Sequence, residues 1–486
     1  MPDNSRARRS ERGGPAAPST ELPPPGPRGL PVVGSLVQLA RGPEPPYIAI
    51  TQLAREYGGV VAFRVGEVPT VVFADPGMIT EAFEKTELSD RWVFQVHATL
   101  HGAMVFSQYD DSWCRMREVA VSRLWSAEQV ATLSENHFAP AFDAVADRIC
   151  LMADSGEPVD VSGVMLDACN DMIFRAFFGW EEVESDEMRT GRERFREHTV
   201  WFQGAGSVPM PGDLFRWAKF MPSGTLKKGR RLREAQDAMF ARLLQSARSR
   251  RAGNAPAAPG LVDILLDMEE VEGIDHSTVY GIYLDTLVSG PLQAAPIVWF
   301  LLLVANRPEV QAKIHEEMDR VMGPEGRAPC MDDHARLPYT FACVAELLRY
   351  RPLNPLGLPH RAAQDTEIGG YRIRKGTQVL GSVYGASRDE RYWDSPDDFI
   401  PERFMPQDDG SPSPALTSVA YMPFGTGIRR CSGDRFAQTV IWVAVTKILQ
   451  RLRFETPEGL PLSEEQVHRS FVQPRPFTLK ALRRSR

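Results

Sequence analysis

The sequence predicts a mainly α-helical protein with small β-sheets, folded as one large domain over residues 24–486 behind a disordered leader at 1–23. Three observations predict it. Apolar residues recur with helical spacing through most of the chain. Two short regions are instead β-branched and bounded by Gly and Pro. A chain of 486 residues with 43% hydrophobic content also encloses a large core, and no internal repeat divides it.

Taken in order, residues 1–20 are polar and carry Arg6, Arg8, Arg9 and Arg12. An organellar transit peptide is the alternative reading, but Asp3, Glu11 and the prolines spoil the amphipathicity it needs. The proline-rich stretch Glu21–Gly29 follows, and then Val60–Val65 and Thr70–Phe73 form a first small sheet. Helices are expected at about 114–124, 135–152, 164–178, 235–250, 277–305, 308–322 and 338–350. Ala252–Gly260, rich in Ala, Pro, Gly and Asn, reads as a flexible surface connection. A second β region at Ile368–Ile373 and Gln378–Ser382 is split by a Lys375-Gly376 turn, and a last helix covers 434–452.

Composition excludes several classes of function. A net charge of −7 leaves no footprint for nucleic acid. Six cysteines without a CxxC pair argue against a disulfide scaffold or a zinc site and for a reducing, cytoplasmic setting. Cys114, Cys150, Cys169, Cys330 and Cys343 then read as ordinary buried thiols. No uninterrupted run of about 18 apolar residues occurs, so a soluble, monomeric protein without a membrane anchor is expected. Arginine-rich usage with eight lysines points to a GC-rich, bacterial source.

The sixth cysteine, Cys431, stands in Phe424-Gly425-Thr426-Gly427-Ile428-Arg429-Arg430-Cys431-Ser432-Gly433, a glycine-rich loop that runs into a helix from about Asp434. A thiolate in such a place is suited to be the axial ligand of haem iron. Glycines at 425, 427 and 433 let the backbone approach a flat macrocycle. The helix amides and the Arg429 guanidinium favour the thiolate, and Phe424 shields the sulfur from water. Standing alone, the same stretch reads equally well as a structural cysteine in a turn.

It does not stand alone. The loop resembles the haem-binding segment of the cytochrome P450 family, whose pattern Phe-x-x-Gly-x-Arg-x-Cys-x-Gly is met at Phe424, Gly427, Arg429, Cys431 and Gly433. Glu346-Leu347-Leu348-Arg349 resembles the family's Glu-x-x-Arg pair, and Pro401-Glu402-Arg403-Phe404 resembles the segment whose arginine completes that triad. Trp113-Cys114-Arg115-Met116-Arg117 is similar to its Trp-x-x-x-Arg motif. The resemblance covers roughly residues 24 to 480. It implies the P450 fold, with haem b between a long distal helix and the cysteine loop, and Cys431 as the iron's proximal ligand. It also implies Trp113, Arg117, His360 and Arg429 as propionate partners, with Arg361 the competitor of His360. Glu346, Arg349 and Arg403 read as scaffolding, because a buried charge needs its partners. Glu21–Gly29 resembles the hinge that follows the anchor of microsomal members.

One departure from the family bears on the reaction. Oxygen-activating members carry Ala/Gly-Gly-x-Asp/Glu-Thr on the distal helix, where the acid and the hydroxyl deliver protons. Here the matching residues are Ser289-Gly290-Pro291-Leu292-Gln293. Asp285 sits where the family often has an earlier acid, and Gln293 lies 53 positions before Glu346, a separation typical of the family. Leucine carries no proton, and a glutamine amide orients an oxygen but does not titrate. General acid catalysis is worth roughly 10²–10⁴ in rate, so its loss is consequential. Pro291 and Pro296 each remove an amide from the helix ladder and are expected to kink the helix above the iron.

Two enzyme classes follow from the resemblance and its departure. In the favoured one, a hydrophobic substrate, such as a bacterial secondary-metabolite precursor, brings its own oxidising group or is rearranged or dehydrated. A peroxide, an activated N–O bond or a nitrene-type transfer belongs to this class. In the other, a monooxygenase or radical coupling enzyme draws electrons from a separate ferredoxin or flavodoxin and its reductase, and Ser289, Gln293, waters or substrate hydroxyls supply protons. A haem sensor or carrier is the non-enzymatic alternative. Trp92-Val93-Phe94-Gln95-Val96 through Phe106, Leu284, Val288, Ser289, Leu292, Leu356–Leu358 and Phe471-Val472 are expected to line the pocket. Arg115, Arg123, Arg430, Arg435 and Lys447 are expected to present a basic proximal surface to an acidic partner.

Overall fold

The stretch Ala294–Ala305 reads AAPIVWFLLLVA and every one of its residues is buried, which makes it the axle of the molecule. A helix apolar on all faces must be covered on all faces. Val161–Phe178, Pro308–Met322, Pro338–Tyr350 and Asp434–Arg451 pack around it. The computed structural model describes residues 22–40, 44–179, 186–205, 209–252, 260–322, 330–467 and 471–484. The leader's residues 1–21 and residues 253–259 of the expected surface connection lie outside them. Among the described residues, His276–Ala305 is long and apolar enough to cross a membrane, but 82% of its most apolar window is buried inside the protein.

The prolines break this helix where the sequence places them. His276–Ser289 ends in a tighter 3₁₀ turn, Gly290–Gln293, before Ala294–Ala305 resumes. Most other helices fall close to expectation, with ends set by caps. The Asp110 side chain accepts from Trp113 N–H at 2.8 Å and starts Asp111–Val119, and Asp160 caps Val161–Phe178. The helix expected at 235–250 is longer, Gly224–Ala252, and the helices not expected include Pro46–Glu56, Pro76–Glu84, Ala127–Leu133, Asp186–Ala205 and Leu261–Val271.

The β structure corrects the expected second region. Thr366–Ile368 and Tyr371–Ile373 form their own hairpin, turning at Gly369-Gly370 with φ of +54° and +81°. Paired left-handed residues of this kind make the tight turn that suits strand twist. Gln378–Gly381 leaves that hairpin and pairs in parallel with Val68–Phe73, in a five-stranded sheet with Val60–Val65, His360–Arg361 and Asp90–Arg91. All four of its residues are buried, as a strand covered on both sides requires. Leu22, placed in the leader by sequence, bridges to Tyr371.

The segment leading to the cysteine loop is tied down by one buried ion pair. Arg349 donates to both Glu346 oxygens at 2.7 Å, and neither side chain is exposed. The remaining Arg349 N–H groups donate to Ser387, Pro396 and Asp398 carbonyls, while Ile400 N–H and Arg403 donate to Glu346. Such satisfaction is what lets a buried pair stand. Replacing Glu346 with Ala strands the guanidinium, and is expected to cost about 3–5 kcal/mol. Urea unfolding should show the midpoint falling accordingly, and an unchanged midpoint would refute the scaffolding role.

Candidate active site

The cysteine loop closes on itself before it meets anything else. Cys431 N–H donates to Phe424 O at 2.9 Å, and Arg430 N–H donates to Gly427 O at 3.1 Å. Gly427 has φ +69°, and a Cβ there would sit 2.0 Å from Phe83 O, so only glycine fits. Ile428 N–H donates to that same Phe83 oxygen, which pins the loop to Pro76–Glu84. Gly433 is different. Its φ is −102° and a Cβ would meet no protein atom within 4 Å, so protein packing does not demand glycine there, while a flat group laid against the loop would.

The Cys431 side chain is accessible although protein surrounds it. Burial pushes the thiol's ionisation up, and the Asp434 carboxylate adds to that, whereas the Gly433 N–H and the Arg117 guanidinium pull it down. The cation that acts on the sulfur is therefore Arg117, not Arg429 as expected. Arg429 is committed elsewhere. It donates to the carbonyls of Ser89 at 2.8 Å and Ser107 at 2.7 Å, and its guanidinium lies 4.1 Å from the Trp113 ring centroid.

The propionate residues named from sequence come together. Trp113 and Arg117 share the helix Asp111–Val119, and Arg117 donates to Arg430 O at 2.8 Å. His360 is buried, stacked on Phe83, with Nδ1 2.7 Å from Leu88 O. A carbonyl only accepts, which assigns the proton to Nδ1. Burial, and then Arg91, hold His360 well below its ordinary range, so the ring is neutral. A propionate at Nε2 would favour the second proton. Arg361 is excluded as competitor, since it points outward and pairs with Asp90 at 2.8 Å.

The sequence missed Arg91. It is 6% exposed and donates to the carbonyls of Val105 and Leu358, and burial together with Arg429 brings its ionisation down to about 9. Among the described residues, none of Arg91, Arg117 and Arg429 has a carboxylate within salt-bridge distance, and the ionisation of each is lowered by burial and a neighbouring guanidinium. Buried cations in this state need an anion among them. The two carboxylates of haem would meet that need. The only sequence signal was an arginine inside an apolar stretch.

On the distal side, Gly290 presses so closely on Val161–Phe178 that a Cβ would lie 2.5 Å from Ile173. Leu292 and Gln293 follow in the turn, each 9% exposed, and no hydrogen bond is made by the Gln293 amide among the described residues. Ser289 donates its hydroxyl proton to Asp285 O at 2.6 Å and is left only as an acceptor. The Asp285 carboxylate receives the Val105 N–H, and burial lifts it to about 7 despite that bond and Arg429. Phe94, Phe106, Val288, Leu356 and Phe471 are partly accessible, as lining residues should be, but Val96, Leu284 and Val472 are sealed in the core.

Other assignments change as well. Lys447 is 3% exposed and bound to Asp143, so it leaves the proximal surface, and Arg123 and Arg430 are paired with Glu272 and Asp434. Cys114 and Cys330 are exposed rather than buried, whereas Cys150, Cys169 and Cys343 are buried as expected.

Comparison with known proteins agrees with this geometry. The sequence pattern of the cytochrome P450 family matches residues 24–481. The chain belongs to the cytochrome P450 family. Similar relatives include a 9-beta-pimara-7,15-diene oxidase of Oryza sativa subsp. japonica, 29% identical over 90% of this chain and 86% of the relative. A steroid 17-alpha-hydroxylase/17,20 lyase of Cavia porcellus is 28% identical over 88% and 86%. An (S)-N-methylcoclaurine 3'-hydroxylase isozyme 1 of Eschscholzia californica is 27% identical over 92% and 91%. The bacterial origin read from arginine usage finds no support among these plant and mammalian relatives. P450 proteins hold haem through a cysteine thiolate, and the mainly α fold with small sheets is that of the family.

If Arg91 holds a haem carboxylate, Arg91→Leu removes a charged donor and speeds haem loss about tenfold, for a lost hydrogen bond of about 1.5 kcal/mol to a charged group. Transfer of haem to apomyoglobin, followed by absorbance, measures it; an unchanged rate would remove Arg91 from the site.

Proposed function

We propose that this P450 acts on a hydrophobic small molecule by a reaction that does not draw on an acid–alcohol pair, the substrate bringing its own oxidising group or undergoing rearrangement or dehydration. The observation that supports the reading is the turn Gly290–Gln293, whose Leu292 and Gln293, the residues that the resemblance matches to the family's acid and hydroxyl, carry no proton to deliver. Bound haem supplies the redox chemistry of thiolate-held iron, with Cys431 as the ligand. The protein does the rest. Arg91, Arg117, Arg429, His360 and Trp113 would hold its carboxylates, and Gly433 would leave room beside the loop. Phe94, Phe106, Val288, Leu356 and Phe471 exclude water and select an apolar body, of the diene or steroid kind that the relatives' names describe. The Gln293 amide orients an oxygen or nitrogen of the substrate, and Ser289 accepts from it.

A second reading is dioxygen-dependent hydroxylation fed by a separate redox protein at Arg115, Arg435 and their neighbours. The relatives favour it, since their names are those of oxidases and hydroxylases. Asp285 also favours it, because a carboxyl lifted to about 7 still holds its proton just below neutrality and can release it.

Assays without dioxygen, reductase or any added oxidant, offering a panel of apolar dienes and steroids that themselves carry a hydroperoxide or an N–O bond, separate the two. The proposal expects product under these conditions, and turnover that strictly requires dioxygen and electrons would sink it. The double change Leu292→Glu with Gln293→Thr should then leave the rate flat or lower it, whereas an increase in coupled turnover would favour hydroxylation. Under the second reading, turnover falls as pH rises through about 7 and Asp285 loses its proton. Asp285→Asn should abolish that inflection, and a profile with no inflection in the native protein would remove Asp285 as the donor.

A further inference from the structure

One cleft of the molecule lies outside everything assigned so far. Val60–Val65 is the edge strand of the five-stranded sheet, and the proline-rich segment after Leu22 runs along it. Ala62 N–H donates to Pro25 O at 2.7 Å and Ser35 N–H to Arg64 O at 2.7 Å, and a Cβ on Gly26 would sit 1.7 Å from Ala62 O, so the segment is pressed against the strand. Its start is held by the Leu22 carbonyl, which accepts from Arg372 N–H at 3.0 Å. Between this segment, the sheet and the hairpin of Thr366–Ile368 and Tyr371–Ile373, a cleft of about 600 Å³ stays open. That is the size of a small-molecule site. None of its lining residues belongs to the propionate site or to the distal pocket.

The walls are apolar. Pro23, Pro24 and Pro27 line the cleft together with Val71 and Ile373, which are buried. Leu30 and Val32 line it too, yet they are 55% and 72% exposed. Val32 has φ +66°, a left-handed conformation that is a genuine outlier for a β-branched side chain. Large apolar side chains left in water beside a cavity mark a surface that a ligand can cover.

The polar groups are few and sit together. Arg374 and Thr377 are the two ends of one tight turn, closed by Thr377 N–H donating to Arg374 O at 3.1 Å. Thr377 is 6% exposed, and its hydroxyl makes no hydrogen bond among the described residues and is not sealed, so it opens to the cleft alone. The Arg374 guanidinium has no ion pair among the described residues, because the neighbouring Asp365 carboxylate is taken by Arg372 at 2.7 Å and by Lys375 N–H at 2.8 Å. Arg64 is a third cation on the cleft, and Glu67, the one carboxylate among the described lining residues, is engaged by Arg216. In a chain of net charge −7, positive charge gathered around an apolar cleft selects an anion with an apolar body.

We propose that this cleft is a second ligand site, separate from the haem pocket, for a single-chain amphiphile with a carboxylate head, of the fatty-acid class. The chain lies along the prolines, Val71 and Ile373, and the head accepts hydrogen bonds from the Arg374 guanidinium and the Thr377 hydroxyl. Its occupant ties the proline-rich segment to the sheet and the hairpin, so binding stabilises their packing.

Laurate, kept below its micelle concentration, tests the site on the haem-loaded protein. The haem pocket is first saturated with an azole that ligates the iron, followed by its Soret shift, and laurate is then titrated by calorimetry. One equivalent of laurate should still bind. Arg374→Glu should weaken it about tenfold and Thr377→Val about threefold, with the azole shift unchanged in both. Dodecyltrimethylammonium, with the same chain and the opposite charge, should not compete. No laurate bound in the presence of the azole, an equivalent undiminished in Arg374→Glu, or competition by dodecyltrimethylammonium overturns the proposal. A failed haem pocket shows instead as a lost azole shift, which leaves the laurate count readable.

Discussion

Arg91 and Arg429 are buried and Arg117 half-buried, and among the described residues none of the three guanidiniums has a carboxylate within salt-bridge distance; much of the architecture holds them there. Arg91 is bonded to the carbonyl of Val105 at the end of the loop that follows it and to that of Leu358, Arg429 is clamped by Ser89 and Ser107, and Arg117 braces the backbone beside the cysteine. The helix Asp111–Val119, the strand His360–Arg361 and the cysteine loop meet at this point. Repulsion among like charges in a dry setting opposes folding. A dianionic cofactor bound there would turn the same repulsion into affinity and would couple its binding to the packing of these segments.

The proximal and distal halves contrast. The proximal half is over-determined: the loop is closed by its own hydrogen bonds, pinned at Phe83, and approached through a segment locked by the Glu346–Arg349 pair. The distal half is shaped by a turn and close packing. Pro291 interrupts the helix, Gly290 seats the turn on Ile173, and Ser289 spends its proton on its own helix. What titrates on this side is Asp285, in contact with Val105.

Much of this was legible in the sequence where the signal is local. The cysteine loop, the Trp113–Arg117 spacing and the Glu346–Arg349 pair each lie within a few residues, and the two prolines mark the helix break directly. Long-range partners were not legible. Gln378–Gly381 looks like the second arm of a hairpin because its true neighbour, Val68–Phe73, is hundreds of residues earlier. Lys447 looks like a surface charge until Asp143 is seen beside it. Arg91 belongs to no motif, and its meaning appears only when two other arginines are found close by. His360 and Arg361 are adjacent in sequence, and strand alternation alone decides which of them faces inward.

The most direct test of the account is the spectrum of the reduced protein under carbon monoxide. Thiolate ligation by Cys431 predicts a strongly red-shifted Soret band that vanishes in Cys431→Ala. A native protein that binds haem without that band, or a Cys431→Ala variant that keeps it, would contradict the assignment of the cysteine loop and with it the reading of the whole site.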